Sequence, residues 1–162
     1  MTLRAQLADE GATREFGARL AALLAPGRRW LVSLTGELGA GKTTLVRGLL
    51  GGLGHRGRVR SPTYTLIEPY RLGDRDVLHL DLYRLADPGE LEYLGLGDLL
   101  TPEAIALVEW PERGQGFLPP ADLAIVLGYP AGAAGRSLKI SAADDAGEAL
   151  LAALAAGTAA DG

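Results

Sequence analysis

The eight residues from Gly36 to Thr43, Gly-Glu-Leu-Gly-Ala-Gly-Lys-Thr, constrain the fold of this chain more than any other segment. They match the spacing G-x-x-x-x-G-K-[ST] of the phosphate-binding loop of nucleotide triphosphatases. Glycines let the backbone turn so that successive N–H groups face phosphate oxygens, and the next helix directs its positive dipole end at the same anion. We expect Lys42 to bind the β- and γ-phosphates and the Thr43 hydroxyl to ligate Mg²⁺.

The flanking segments and the use of lysine support the same interpretation. The stretch "WLVSLT" predicts a buried strand that enters the loop, and "TTLVRGLLGGL" predicts a helix that leaves it. Of the 16 lysines and arginines, only Lys42 and Lys139 are lysines. A lysine in such a background indicates a site that needs a compact charge rather than a guanidinium fork. Lys139, in "RSLKIS", is predicted to be a solvated strand position.

Length and composition limit the classes of protein to which the chain can belong. Its 162 residues and 48% hydrophobic content suit one globular domain. We expect a single P-loop ATPase domain over residues 1–156 and a flexible tail over residues 157–162. The absence of cysteine excludes a thiolate zinc site, and two histidines separated by 24 positions disfavour a histidine metal site, so the expected metal is Mg²⁺.

Targeting signals and nucleic-acid binding can also be judged from the sequence. The start "MTLRAQLADEGA" lacks the apolar core of a signal peptide, and no stretch approaches the roughly 20 apolar residues of a membrane span. We therefore expect a cytoplasmic protein without a membrane partner. The net charge of −4 argues against broad binding to nucleic acid, including DNA, although it allows a local basic patch.

Periodicity along the chain predicts an α/β fold. The segment "TREFGARLAALL" reads as an amphipathic helix with Thr13 as its N-cap, a shorter helix is expected around "DPGELEYLGLGDLL", and "DDAGEALLAALAA" reads as a closing helix. Together with the helix after the loop, these alternate with strands, which predicts a three-layer P-loop sandwich with a mixed, partly parallel sheet. The strands are predicted at Trp30 to Thr35, Thr63 to Glu68, Val77 to Tyr83, Ile105 to Trp110, Leu123 to Leu127 and Ser137 to Ser141.

Two acidic residues are predicted at the ends of buried strands. A triphosphatase needs carboxylates beside the loop to hold Mg²⁺ and the attacking water. Asp81 lies in "VLHLDLY" and Glu109 lies in "AIALVEWP". Because a charge in an apolar run is costly to bury unless it is paired or bound to metal, both are candidates for the metal site. The alternative for Asp81 is a structural ion pair with an arginine such as Arg84.

The segment "HRGRVRSPTYTL" has two interpretations. Its arginines, Arg56, Arg58 and Arg60, are compatible with an ordinary solvated loop. The functional interpretation is a switch segment in which the Thr63 hydroxyl senses the γ-phosphate and Mg²⁺. Trp110, next to Glu109, is either a core residue or an aromatic lid near the nucleotide, and spacing alone leaves both open.

Four motifs in order resemble the TsaE (YjeE) family, the small bacterial ATPases of tRNA threonylcarbamoyladenosine biosynthesis. They are "GELGAGKTTLVRGLL", "RSPTYTLIEPY", "HLDLYRLADPGELEYLGLGD" and "LVEWPERGQGFLP", and the resemblance extends over nearly the whole chain. It implies binding of ATP with Mg²⁺ and a complex with the paralogous proteins TsaB and TsaD. It also implies that hydrolysis supports turnover of that complex, which modifies N6 of the adenosine 3′ to the anticodon in ANN-decoding tRNAs, so that tRNA is an indirect partner.

The resemblance also assigns roles to residues. It implies that Lys42 binds phosphate, that Thr43 and Glu109 belong to the metal site, and that Asp81 is the acid needed for hydrolysis and a further metal-site residue. Thr63 falls in the segment that resembles a switch. The remaining residues expected to contact ATP are Glu10 and Thr13 of the N-terminal region, the loop residues Gly36, Glu37, Leu38, Gly39, Ala40, Gly41 and Thr44, and Arg136.

Other function classes are less compatible with the sequence. A GTPase would need an N-K-x-D element to read guanine, but the chain contains no asparagine. A small-molecule kinase could use the same loop, acids and arginines, yet no lid insertion is evident and the "LADPGELEYLGLGD" segment has no kinase explanation. A nucleotide-gated interaction module, in which binding matters more than hydrolysis, overlaps with the favoured reading.

Overall fold

The computed structural model describes residues 1–132 and 134–160, with the side chains of 158–160 excluded. Its helices are α1 (Glu10–Ala22), α2 (Lys42–Gly52), α3 (Glu90–Tyr93), α4 (Leu96–Leu99) and α5 (Asp145–Ala160), with a 3-10 turn at Pro111–Gly114. The strands are β1 (Thr2–Leu7), β2 (Trp30–Thr35), β3 (Ile67–Leu72), β4 (Arg75–Asp81), β5 (Ile105–Glu109), β6 (Leu123–Gly128) and β7 (Arg136–Ala142).

The strands form one mixed sheet in the order β1-β7-β6-β2-β5-β4-β3. The four central strands, β6, β2, β5 and β4, are parallel, whereas β1, β7 and β3 join as antiparallel strands at the two edges. The α/β fold with a partly parallel sheet is therefore confirmed. Parallel central strands bring their carboxyl ends to one edge of the sheet, where ligands bind in open α/β folds.

Helices cover both faces of the sheet. One core lies between the sheet and helices α1, α2 and α5, and includes Phe16, Leu49 and Leu151. The other lies under the short helices α3 and α4 and includes Leu91 and Leu96. Because both faces of β2 and β5 are buried, these strands read as continuous apolar runs. The layers form the predicted three-layer sandwich.

Helices α1 and α2 touch along a seam of glycines. A Cβ atom built on Gly17 would lie 2.7 Å from the carbonyl oxygen of Leu45, and one on Gly52 would lie 2.7 Å from that of Ala18. One on Gly48 would overlap the backbone of Arg14. Only glycine permits this separation, so the two helix backbones are in direct contact.

The predicted start of β3 and the predicted N-cap of α1 were wrong. Strand β3 begins at Ile67 rather than Thr63, because the Leu66 amide donates to the carbonyl of Pro62 and closes a turn that keeps Thr63 out of the sheet. The N-cap of α1 is Asp9, whose side chain accepts from the Ala12 amide at 2.8 Å. Thr13 instead lies within the helix, and its hydroxyl donates to the carbonyl of Asp9.

Both ends of the chain also differ from the prediction. Strand β1 was not predicted, because its sequence "TLRAQL" alternates weakly and it lies at the edge of the sheet, paired with β7. Helix α5 extends to Ala160, into the segment expected to be a tail, because lengthening an existing helix adds one hydrogen bond per residue even where Gly157 interrupts the alanines. Residues 161–162 of that segment lie outside the described residues. Within the part of the chain that the structure describes, no helix is long and apolar enough to cross a membrane.

Candidate nucleotide site

The loop between β2 and α2 depends on glycine at three positions. Gly39 and Gly41 have φ values of 81° and 104°, in the left-handed region that side chains disfavour, and Gly41 is the N-cap of α2. A Cβ atom on Gly36 would lie 2.6 Å from the carbonyl oxygen of Leu127, so β6 leaves no room for a side chain there. The glycines of the octet are thus required by the loop geometry, and α2 begins at Lys42, with its N-terminus at the loop.

Lys42 is held against the loop that precedes it. Its Nζ donates to the carbonyl oxygens of Gly36 and Glu37 and lies 4.1 Å from the centre of the Trp110 ring. Burial lowers the pKa of Lys42, and the carboxylates of Glu109 and nearby acids only partly offset this effect. The ammonium group is therefore confined beside the loop amides, where phosphate oxygens would also be bound.

The sheet register places the two predicted acids side by side. Glu109 at the end of β5 is paired with Leu34 of β2 on one side and with Asp81 of β4 on the other. Each of these strands ends beside the loop that follows β2. The acids were predicted separately, from two strands, and the parallel register is what makes them neighbours.

Both oxygens of the Glu109 carboxylate have partners. The Thr43 hydroxyl donates to Oε1 at 3.1 Å, and His79 Nε2 lies 2.6 Å from Oε2. Glu109 is 2% exposed and His79 is fully buried. A buried carboxylate is stable only with such partners, so Thr43 and His79 fix the orientation of this side chain. The role of His79 was not predicted, since no spacing in the sequence connects it with Glu109.

Asp81 is less buried and less completely paired. Its Oδ1 accepts from the Tyr83 amide at 3.1 Å. Burial is the main cause that raises the pKa of Asp81, and the negative charge of Glu109 acts in the same direction. The alternative ion pair with Arg84 is not among the ion pairs of the described residues. The other carboxylate oxygen of Asp81 has no hydrogen-bond partner among the described residues and is suited to orient a polar group in the cavity.

A cavity of about 450 Å³ joins these groups. It is lined by Lys42, Asp81, Glu109 and loop residues, and a cavity of about 240 Å³ adjoins it across Glu10, Gly39, Gly41 and Thr44. The combined space is in the range of small-ligand sites. The first cavity contains the anion-binding loop and the acids, and the second extends toward the N-terminus of α1.

Predicted residues outside the loop also reach these cavities. Thr63 lines the first, with its hydroxyl 2.7 Å from that of Ser61. Glu10 lines both, and Thr13 and Arg136 line the second. Arg136 reaches the loop from β7, where it donates to the carbonyl of Gly39 at 3.2 Å.

Not every loop residue faces the cavities. Leu38, Gly39, Gly41, Thr43 and Thr44 line the first one. Gly36 and Glu37 contribute carbonyl oxygens to Lys42, and Ala40 is buried in the core. The motif therefore includes residues that shape the loop as well as residues that face the site.

Six residues that line the cavities were not predicted to be part of the site. They are Ala8, Asp9, Ser61, Tyr83, Arg84 and Gly135. Ser61, Tyr83 and Arg84 each lie within three residues of a predicted site residue, so proximity to Thr63 and Asp81 was the available signal. Gly135 precedes Arg136 and carried no separate signal.

Trp110 combines the two roles that the sequence left open. Its half-buried ring packs on the core under α3 and α4, and it also lines the larger cavity, 4.9 Å from the Tyr83 ring. Its φ of 57° is unusual for a bulky residue and begins the 3-10 turn. Strain of this kind at a site is a marker of function.

The oxygen atoms at this site fit a hard divalent cation that is held mainly by the phosphates of a bound nucleotide. Thr43 and Glu109 present oxygens 3.1 Å apart, and Asp81 adds a carboxylate from the next strand. No group of three His, Asp or Glu side chains that could hold a metal occurs among residues 1–132 and 134–160. Mg²⁺ fits this arrangement, because it commonly takes one or two protein oxygens and completes its shell with water and phosphate.

Comparisons with known proteins agree with this geometry. The family model "Threonylcarbamoyl adenosine biosynthesis protein TsaE" matches residues 7–137. A protein of Haemophilus influenzae named tRNA threonylcarbamoyladenosine biosynthesis protein TsaE is 47% identical over 131 residues, which are 79% of this chain and 83% of that protein. Its namesake in Bacillus subtilis is 39% identical over 115 residues, 71% of this chain and 70% of that protein.

A solved structure supports the same relationship. The crystal structure of YdiB from Bacillus subtilis is similar with a TM-score of 0.78 and 29% identity, and the match covers 98% of this chain and 97% of that one. The family model covers the phosphate-binding loop and both strands that carry the acids. The chain therefore belongs to the TsaE family of tRNA threonylcarbamoyladenosine biosynthesis proteins.

Proposed function

We propose that this protein is a magnesium-dependent ATPase that acts with TsaB and TsaD in the threonylcarbamoylation of N6 of the adenosine 3′ to the anticodon in ANN-decoding tRNAs. The observation that carries the proposal is the meeting of Lys42, Thr43, Asp81 and Glu109 around one cavity at the carboxyl ends of parallel strands. Family membership supplies the pathway. The proposal places this action in the cytoplasm.

The first step is the binding of ATP. The loop amides and the α2 N-terminus bind the phosphates, and Lys42 exchanges its contacts with the carbonyls of Gly36 and Glu37 for phosphate oxygens. Glu10, Thr13 and Arg136 line the adjoining cavity and are suited to contact the nucleoside. One nucleotide would then occupy both cavities, with its phosphates in the first and its nucleoside in the second.

The second step concerns the metal and the water. Thr43 and Glu109 would hold Mg²⁺, with Asp81 close enough to contribute directly or through water. When bound, the metal neutralises charge on the β- and γ-phosphate oxygens. Asp81 orients the attacking water through its unpaired carboxylate oxygen. Thr63, in the turn closed by Leu66, lies where it can respond to the γ-phosphate.

The test is ATP binding and phosphate release by matched lysine variants. Lys42→Ala should weaken ATP binding by about 100-fold or more, because it removes the charge on the phosphates. Lys139→Ala is the control, since Lys139 is exposed on β7, as predicted, and is the chain's other lysine. Calorimetric titration with ATP and Mg²⁺ measures both. Unchanged ATP affinity in Lys42→Ala would refute the proposed site.

The role in the complex needs a second measurement. Phosphate release from ATP is followed with this protein alone and then with TsaB, TsaD and tRNA. We expect strong stimulation by the partners. ATP consumption that is unchanged by the partners but rises with a small hydroxyl compound would replace the proposal with phosphoryl transfer by a kinase.

A further inference from the structure

A second groove lies away from the nucleotide cavities, on the outer surface of α1 and α2. It encloses about 520 Å³ and is lined by Arg14 of α1, Arg47 of α2, His55 and Arg58 of the following loop, and the small residues Gly51 and Gly57. None of the described residues that line it is acidic. The groove therefore offers exposed glycine backbone together with positive charge.

The packing of the two helices brings these charges together. Gly48 lies directly against the backbone of Arg14, so Arg14 and Arg47 extend from the two sides of the seam. His55 shapes the loop, with its Nε2 3.1 Å from the carbonyl of Arg58 and its ring edge-on to Tyr70. The groove is thus a consequence of the fold and of loop contacts, rather than of the arginine run alone.

The guanidinium groups of the groove are available to a ligand. Arg14 makes one exposed contact with Glu10 at 3.5 Å, a type of pair that contributes little. Arg47 and Arg58 are exposed and form no ion pair with any residue that the structure describes. Arg56 and Arg60 are exposed in the same loop. In a chain of net charge −4, this is a strong local concentration of positive charge.

The chemistry of the groove favours phosphate over a protein surface. Protein interfaces depend on buried aromatic or aliphatic anchors, but Val59 is the only large apolar residue among the groove's described lining. Single-stranded nucleic acid needs exposed aromatic rings for stacking, and the exposed Tyr64 and Tyr93 do not line the groove. Guanidinium groups and exposed backbone N–H groups can both donate hydrogen bonds to phosphate oxygens. They therefore suit the phosphate backbone of a folded, base-paired nucleic acid.

We propose that this groove binds the phosphate backbone of a folded RNA through Arg47 and Arg58, with Arg14 in support. The proposal goes beyond the ATPase function, because it assigns this protein a direct contact with RNA. It does not depend on nucleotide hydrolysis. The loop that carries Arg58 continues into Ser61 and Thr63 of the nucleotide cavity, so the two sites share one segment of chain.

The experiment measures fluorescence anisotropy of a labelled, unmodified tRNA transcript titrated with the full chain. Wild-type affinity should fall about ten- to fortyfold between about 50 and about 200 mM KCl, the dependence expected for two or three phosphate contacts. The double variant Arg47→Glu and Arg58→Glu should bind at least about tenfold more weakly and show a flatter salt dependence.

The control variant carries the same change of charge elsewhere. Arg4 and Lys139 are exposed and opposite one another on β1 and β7, so Arg4→Glu with Lys139→Glu also replaces two positive charges with negative ones. It should bind tRNA within about twofold of wild type, because charges far from the groove act only through the screened overall field. Circular dichroism and ATP binding confirm that both double variants are folded.

Several outcomes would overturn the proposal. They are an absence of tRNA binding at the lower salt concentration, an equal loss in both double variants, and tighter binding of polyglutamate or of a DNA hairpin than of tRNA. A loss confined to Arg47→Glu with Arg58→Glu, with ATP binding unchanged, supports it. Since ATP binding is measured in the same variants, failure of the groove can be distinguished from failure of the nucleotide site.

Discussion

At the scale of single residues, the site depends on how one buried carboxylate is held. Glu109 has a partner at each oxygen, Thr43 at one and His79 at the other. His79 in turn has a buried Nδ1 without a hydrogen-bond partner among the described residues. Burying a nitrogen without a hydrogen bond costs free energy. The stabilisation from the contact with Glu109 is therefore larger than this cost.

Loss of the His79 contact should therefore destabilise the protein. We expect His79→Leu to lower the free energy of unfolding by about 2–4 kcal/mol, because it leaves one oxygen of a buried carboxylate without a partner. His79→Gln keeps an amide donor and should lose less. Urea denaturation measures both variants, and an equal loss in the two would show that the shape of the ring matters rather than its hydrogen bond.

Asp81 leads to a prediction about pH. Its pKa is raised above the ordinary 3.8, and the proposed role requires the ionised form. ATP hydrolysis should therefore fall as pH is lowered through that raised pKa, at a pH higher than an ordinary aspartate would give. The pH profile of kcat measures this. A profile that stays flat down to pH values near the ordinary one would contradict the assignment.

The same residue should show a trade-off between stability and activity. Burial penalises the ionised form, so the folded state binds the proton more tightly and wild type loses stability as pH rises from the unfolded to the folded pKa. Asp81→Asn does not titrate. It should bind ATP, lose hydrolysis by about 100-fold or more, and have a Tm at pH 7 at least equal to that of wild type. A lower Tm would indicate that the ionised carboxylate is stabilising.

At the scale of elements, the contact between α1 and α2 supports both the nucleotide site and the arginine groove. Helix α2 carries Lys42 and Thr43 at one end and Arg47 in its middle, and α1 carries Arg14 and, at its start, Glu10. The glycine seam fixes the position of one helix relative to the other. A change at the seam should therefore affect the whole protein.

Two glycine substitutions in α2 separate packing from helix propensity. Gly48→Ala should lower the free energy of unfolding by about 1–3 kcal/mol or more, because the new methyl group overlaps the Arg14 backbone. A Cβ atom on Gly51 would meet open space, so Gly51→Ala should raise the free energy of unfolding by about 0.4–1 kcal/mol. Thermal denaturation compares them. Equal effects in the two variants would show that the helices separate easily.

At the scale of the whole molecule, bound nucleotide should stabilise the fold, because the site joins β2, β4, β5, α1 and α2. Ligand at 100 times its Kd adds about 2.7 kcal/mol, which corresponds to a rise in Tm of roughly 5–10 °C for a domain of this size. Differential scanning fluorimetry with ATP and Mg²⁺ should show this rise in wild type and a much smaller rise in Lys42→Ala. A similar shift in both proteins would indicate that ATP binds elsewhere.

Local patterns in the chain were sufficient for much of this structure. The octet, "WLVSLT" and the apolar runs around Asp81 and Glu109 predicted the loop, the central strands and the main acids, because a buried parallel strand and a glycine-rich loop each have a local signature. The edge strand β1 and the start of β3 were not predictable in this way. They depend on pairing with β7 and on the turn closed by Leu66, which join residues that local patterns do not connect.

The sequence by itself determined the phosphate-binding loop, the class of fold and the family resemblance, since these rest on residue types at short, regular spacings. Only the tertiary structure decided that Glu109 lies beside Asp81, that His79 holds it, and that Arg14 and Arg47 share a groove. The physical reason is that each of these contacts joins different strands or helices. Their distances are set by sheet register and helix packing, and neither leaves a periodic signal in the chain.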